Sequence, residues 1–474
     1  MNVGIWKLLI LGAALVLAAC DRDDDDDGGA TTQAPLLGAL NAVQDMKDVT
    51  FLREEEEWTT ITFGTATDFR AVDADQYDLN FDALLPGDDT SACTGDDDGD
   101  DVKDSDECTR VASVSINAVA GREYTIVLAG RYASPTVLVF DKAIHEFDFQ
   151  GTDADGDPED RNMEVQFFHL AETLGDVDVY IEPPGTNLSP AQVRATLSRY
   201  EHFDALLDEG EYVITLTAVA DPSTVFFLSD TFSVSRRTRV GFAILDGAGS
   251  GVSTLKVARF RDQGGTLLDR RVGTQLRFAH VAPRAGNLDV YVGGDFTQPR
   301  VTDLAFEQTS AYGEVDTSAL LDLAVDVTPA GNPGVFLARE EITLARDERA
   351  TFFLLGSNNL DGLKSTDEFR RFATHARLRM VNGASNTLDF YVVKQGSNIA
   401  TLSPTTSLAF RSSSGLTTFD PGAYDIVLTR AGSSTVRYGP RTVELAAGGI
   451  YTIVAIDTGE STATDVVLLD DFAP

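Results

Sequence analysis

Two histidines, His169 and His280, each stand nine residues before an aspartate, Asp178 and Asp289. An imidazole held near a carboxylate at fixed spacing is the raw material for proton transfer or metal ligation. The matching places elsewhere in the chain carry Asn41 and Asn382. Asparagine hydrogen-bonds as histidine does, but it neither binds zinc well nor moves a proton near neutral pH. The position therefore reads as a hydrogen bond that fixes a loop. His145, His202 and His375 are isolated and show no metal-ligand spacing. Asp48, Asp178, Asp289 and Asp389 recur beside these positions. A residue present in every copy secures a fold more readily than it catalyses many times over. At a loop-to-strand junction a carboxylate accepts backbone N–H groups, a contribution of about 1–3 kcal/mol. Asp289 is expected to bind the backbone of its own preceding loop.

Other chemistry is confined to an acidic insertion at 86–110 and a polar stretch from Gly151 to Asn162. Cys93 and Cys108 are the thiols that remain once Cys20 is accounted for, and an oxidising compartment favours their pairing. Such a loop of about 15 residues gains roughly 3 kcal/mol in the chain-entropy model. Asp96, Asp98 and Asp100, and then Asp153, Asp155, Asp157 and Asp160, are candidate calcium ligands. The second group resembles thrombospondin type 3 calcium repeats, although neither group has EF-hand spacing and calcium needs six to eight oxygens. Each stretch is thus either an ordered calcium loop or a plain solvated one, and no other cofactor is expected. Gly247-Ala248-Gly249-Ser250-Gly251 has its serine misplaced for a nucleophile elbow. There is no H-E-x-x-H and no phosphate-binding G-x-x-x-x-G-K.

The elements that must position these residues repeat. Leu276-Arg277-Phe278-Ala279-His280 leads to Leu288-Asp289-Val290-Tyr291-Val292, and Val165-Gln166-Phe167-Phe168-His169 leads to Val177-Asp178-Val179-Tyr180-Ile181. Leu378-Arg379-Met380-Val381-Asn382 leads to Leu388-Asp389-Phe390-Tyr391-Val392, and a weaker copy runs from Leu40-Asn41 to Asp48-Val49-Thr50-Phe51. Later landmarks recur too, such as Ala423-Tyr424-Asp425-Ile426-Val427-Leu428 and Ile450-Tyr451-Thr452-Ile453-Val454. Period-two runs bounded by Gly, Pro and Asp turns predict an all-β chain of four Greek-key β-sandwich modules, at 36–148, 161–272, 273–373 and 374–474. Val177, Val179 and Ile181 are expected in one core and Leu288, Val290 and Val292 in another, with Asp178, Tyr180, Asp289 and Tyr291 on the opposite faces. Short connections suggest beads on a semi-rigid rod, each with its own core.

The His280–Asp289-Val290-Tyr291-Val292 and His169–Asp178-Val179-Tyr180-Ile181 blocks resemble the DUF4397 family, a domain of unknown function found in repeats on bacterial envelope proteins. The resemblance is close over 163–470 and weak over 36–148, where Thr50 stands in place of the tyrosine. It implies immunoglobulin-like sandwiches outside the cytoplasm and transfers no catalytic residue.

Residues 1–19 read as a signal peptide: Lys7 precedes an apolar run from Leu8 to Ala19 that is too short to span a bilayer. Leu17-Ala18-Ala19-Cys20 resembles the lipobox of bacterial lipoproteins, which implies cleavage before Cys20 and its acylation. Each buried methylene then adds about 0.8 kcal/mol of anchoring. Residues 20–35, with the run Asp23 to Asp27, form a solvated tether. Acidic runs after the cysteine resemble surface-export signals, which favours the outer membrane, whereas Asp21 resembles an inner-membrane retention residue. A net charge of −38 argues against nonspecific nucleic-acid binding. The expected protein is a lipid-anchored envelope array, non-enzymatic, that binds a protein or glycan, adheres or acts as a spacer. The rival reading is a periplasmic scaffold that pairs through sheet edges, and a hydrolase is the remotest.

Overall fold

In a β-strand successive side chains face opposite ways, so Leu288 and Val290 must share one side and Asp289 and Tyr291 the other. The computed structural model describes residues 33–86, 88, 108–147, 162–247, 251–262, 264–315, 321–356, 359–458 and 464–472. In it Leu288 and Val290 lie in a core with Phe278, Val325 and Phe352, and Val177, Val179 and Ile181 lie in another with Phe167 and Phe242.

The third module shows the plan. Its eight strands are Thr274–His280, Leu288–Val292, Val301–Leu304, Gly313–Val315, Leu321–Pro329, Ala338–Leu344, Arg349–Leu355 and Asp361–Thr366. One sheet runs in the order fourth, first, seventh, eighth, and the other third, second, fifth, sixth. The fourth strand returns beside the first, which makes the Greek key. First and seventh strands pair in parallel, Phe278 opposite Phe352, while the remaining pairs are antiparallel. All four modules repeat this order, and the second adds the short strands Phe232–Val234 and Gly265–Leu267. First and second strands thus sit in opposite sheets, whereas an immunoglobulin constant domain keeps its first, second, fourth and fifth strands in one. Among the described residues the helical segments are single 3-10 turns at Pro190–Gln192 and Ile399–Thr401.

The beads-on-a-rod expectation fails at the outer face of the fourth-first-seventh-eighth sheets. In Arg349–Leu355, Ala350, Phe352 and Leu354 face the module's own core, but Phe353 and Leu355 face outward and are also fully buried. They pack with Ala279 and Val281 against Val381, Val454, Ile456, Val467 and Leu469 of the fourth module. The first and second modules join in the same way, through Leu40, Val127 and Ala129 against Phe168, Leu170, Ala243, Leu245 and Phe260. Strands buried on both faces read as nearly continuous apolar runs, as in Tyr124-Thr125-Ile126-Val127-Leu128-Ala129 and Phe352-Phe353-Leu354-Leu355. Glycine admits the rings at the first junction: a Cβ on Gly38 would fall 2.6 Å from Phe69, and one on Gly241 2.2 Å from Phe260.

The two pairs also touch. Asp347 of the third module accepts Val252 N–H at 2.9 Å, Ser253 N–H at 2.7 Å and the Ser253 hydroxyl at 2.8 Å, all on one carboxylate oxygen. Arg370, between the third and fourth modules, donates to the Gln44 carbonyl at 2.8 Å and to that of Met46 in the first module. Its guanidinium lies 5.0 Å from both the Phe63 and Phe372 rings. Burial pulls its pKa down to about 10, which leaves it charged at neutral pH.

Candidate functional site

The side chain that ends each first strand points into the mouth of its sandwich and is fully buried: Asn41, His169, His280 and Asn382 are each 0% exposed. His280 donates Nε2–H to the Gly286 carbonyl at 2.7 Å and accepts Ala282 N–H on Nδ1 at 3.3 Å. His169 makes the first of these bonds with Gly175 at 2.9 Å. Asn382 accepts Ala384 N–H at 2.9 Å and donates to the Asn386 and Leu408 carbonyls, both at 2.8 Å. Asn41 accepts Val43 N–H at 3.0 Å and donates to Ile61 at 3.2 Å. The longer imidazole reaches six residues ahead, and Asn382 reaches four across the shorter loop. A proton on Nδ1 of His280 would face the Ala282 N–H, so this pocket holds the neutral ring.

Burial lowers the pKa of both His169 and His280, opposed in each by the backbone carbonyl. The unfolded chain therefore binds protons first as pH falls through about 6.5, and stability declines with it. Urea unfolding from pH 7 to pH 5 is expected to show a falling midpoint, with a shallower slope in His280→Asn than in the parent chain. Parallel slopes would mean that His280 is not linked to folding.

The aspartates clamp a different segment from the one expected. Asp289 accepts Asp303 N–H at 2.9 Å and Gly331 N–H at 2.8 Å, in the third strand and in the turn after the fifth, not in its preceding loop. Asp178 accepts Ala220 N–H at 2.7 Å and the Thr196 hydroxyl at 2.5 Å, and Asp389 accepts Gly432 N–H at 2.9 Å. Ala220, Gly331 and Gly432 all have positive φ, at 61°, 72° and 71°. The carboxylate faces away from the core and toward these turns because it alternates with Leu288 and Val290. Asp289→Ala should leave two N–H groups unpaired and cost about 1–3 kcal/mol in urea unfolding, with Asp289→Asn in between. An unchanged midpoint for the alanine variant would remove this role.

Asp48 is not the first module's counterpart of these residues. Asp178, Asp289 and Asp389 lie opposite Thr217, Thr328 and Thr429, whereas in the first module Thr50 lies opposite Asp82. Carboxylate and hydroxyl have changed places across the strand pair, so Thr50 takes the aspartate's position and Leu52 the tyrosine's. Asp82 is fully buried and meets Arg110 at 3.2 Å. Asp48 instead lies close enough to Arg370 to favour its charge.

Charged rims close both junctions, and none of these residues was singled out from the sequence. Between the third and fourth modules, Asp367 accepts from Arg379 at 2.7 Å and from the Thr351 and Tyr312 hydroxyls at 2.6 Å each, while Arg277 meets Asp470 at 2.6 Å. Burial and Asp367 push the Tyr312 hydroxyl pKa far up. Between the first and second, Arg261 pairs with Glu123 and Lys142 with Glu164, and the Thr125 hydroxyl donates to Gln166 at 2.9 Å. The signal was a charged residue at the outward position of an otherwise apolar strand, as with Glu123, Glu164, Arg277 and Arg379.

Cys20, Cys93, Asp96, Asp98, Asp100, Asp153, Asp155, Asp157 and Asp160 lie outside the described residues. Cys108 is described and buried. Among the described residues no group of three or more His, Cys, Asp and Glu is placed to hold a metal.

No curated protein matches the chain. Among solved structures, the Bacillus anthracis TIE protein aligns over 88% of this chain and 66% of its own at 9% identity, with a TM-score of 0.14. A variant of BcpA, the major pilin subunit of Bacillus cereus, aligns over 63% of this chain and 99% of its own at 12% identity, with a TM-score of 0.12. Neither score is high enough to carry an argument. The family model of DUF4397, a domain of unknown function, matches residues 274–392 and 376–474. These spans hold the buried His280 and Asn382 and the turn-clamping Asp289 and Asp389, and over its third and fourth modules the chain carries DUF4397 domains.

Proposed function

We propose that the chain is a lipid-anchored, non-enzymatic binding protein of the bacterial envelope, in which the four sandwiches form one compact head on an acidic tether. The reading rests above all on the face-to-face junctions, which consume one sheet of every module and turn the other sheet, with its loops, toward solvent. A head of this build offers many loop surfaces in fixed relation, and weak contacts made together gain avidity. It projects less far than a rod of separate beads, so binding is favoured over spacing. The histidines that first suggested chemistry are engaged by backbone, which supports a non-enzymatic role. Acylated Cys20 supplies the anchor, Cys93 and Cys108 form a disulfide that closes the insertion, and the outer membrane is the favoured site.

The test is fractionation of cells expressing the full chain or Cys20→Ser, followed by protease shaving and a screen against envelope glycans and proteins. Membrane association lost in Cys20→Ser, with the parent head accessible from outside, supports the reading. A head protected in intact cells favours the periplasmic scaffold instead. Membrane association that persists without Cys20 would overturn the anchor.

A further inference from the structure

We propose that the open edge of the first sandwich is a binding site for an acidic sugar, recognised by Trp58, Arg70 and Arg53. A shallow cleft of about 90 Å³ opens there, lined by Arg53, Glu56, Glu57, Trp58, Arg70 and Val72 among others. It lies where strands Glu56–Ile61 and Arg70–Ala71 form the free edges of opposite sheets. An edge strand carries backbone donors and acceptors that no neighbouring strand uses.

Three observations give the cleft its chemistry. The indole Nε1–H of Trp58 is buried and has no acceptor, an arrangement that folded proteins seldom keep without a partner. The Arg70 guanidinium lies 5.1 Å from the centre of the Trp58 ring, and no carboxylate pairs with it among the described residues. Arg53 lies 5.9 Å from the same ring and is held by Glu56 at 3.2 Å. In a chain with a net charge of −38, the two guanidinium groups around this indole balance the two glutamates of the same lining, so the cleft repels anions less than the surrounding surface does.

An anionic group would answer both the orphan donor and the unpaired cation. Glu56 and Glu57 on the rim disfavour a dianionic phosphate, yet they accept well from hydroxyl groups. The indole offers an apolar face beside its polar N–H. A monoanionic carboxylate on a hydroxylated ring satisfies all of these groups at once, and a bare carboxylate or a neutral sugar satisfies only some. This inference deepens the binding reading above and rests on it.

Trp6 and Trp58 are the two tryptophans of the chain, so in the full chain carrying Trp6→Phe the emission reports Trp58 alone. Sodium glucuronate, glucose and sodium acetate are titrated at constant ionic strength, with the parent chain followed in parallel by calorimetry. The expected result is a saturable change with glucuronate only, weakened roughly tenfold or more in Arg70→Gln by loss of a charge-assisted bond. Trp58→Phe, which keeps the packing but lacks the N–H, should weaken the calorimetric signal as well. Arg70 is exposed on a two-residue edge strand, so an unchanged melting temperature is expected for its variant; Arg70→Lys, which keeps the charge, should recover part of the affinity. No response to glucuronate, an equal response to glucose or acetate, or full binding by Arg70→Gln would overturn the site. If Arg70→Gln abolished glucuronate binding while capture of whole envelope glycans persisted, the cleft would stand as one site among several. Glucuronate failure with envelope binding intact would remove the cleft and leave the broader reading in place.

Discussion

Asp367→Ala is expected to destabilise the chain by about 3–5 kcal/mol, because removing one member of a buried ion pair leaves the other charged and uncompensated. Asp367 and Arg379 are 4% exposed each, and the same carboxylate also receives the Tyr312 and Thr351 hydroxyls. Arg277 keeps Asp470 at 2.6 Å and Arg379 retains only the longer approach to the same carboxylate at 3.7 Å, so Arg379 bears most of the loss. Asp367→Asn separates the contributions: it retains an acceptor for the hydroxyls, removes the charge, and should fall between parent and alanine variant. The cost should persist in high salt, since buried pairs are screened far less than exposed ones. Urea unfolding measures all three chains. An alanine variant within about 1 kcal/mol of the parent, the range of a surface ion pair, would show that this junction is open to water.

Phe353→Ala is expected to cost a similar amount, about 3–5 kcal/mol, as for a fully buried aromatic residue cut back to a methyl group. What makes the substitution informative is the direction of the ring. Phe353 points away from its own module's core and is buried in the cluster shared with the sheet of the fourth module. In a string of independent beads it would be a surface residue, and its loss would stay within about 0.5 kcal/mol. Phe168, on the first strand of the second module, faces outward in the same way toward the first module, and Phe168→Ala should behave alike. Neutral outcomes at both sites would restore the rod and, with it, the spacer function. A large loss at both would also predict that paired modules unfold together.

Much of the fold was legible because a strand's period of two is a local property. Val177, Val179 and Ile181 announce one buried face however the chain is arranged around them. The loop-closing role of His280 was legible for a different reason: Asn382 at the matching place excluded the chemistries that asparagine lacks. The misreading of Asp48 has a simple physical origin. Identity at one position does not fix register, which is set by the residues that lie opposite each other, and the exchange of Thr50 with Asp82 is visible only across the strand pair. The junctions were signalled without being recognised. Tyr124 to Ala129 is apolar at the outward places Val127 and Ala129 as well as at every inward one, and such a run needs a cover on each side.

The sequence by itself determined the repeated unit, its two-sheet character, the composition of each core and the acidic leader that follows Cys20. These depend on residues near one another in the chain or on a pattern copied four times. Only the tertiary structure decided what covers the second apolar face, which turn each aspartate holds, and that Arg370 and Asp347 bring the two pairs together. A pattern of side chains specifies that a surface must be buried, and it leaves the choice of partner to shape and charge brought together from distant parts of the chain.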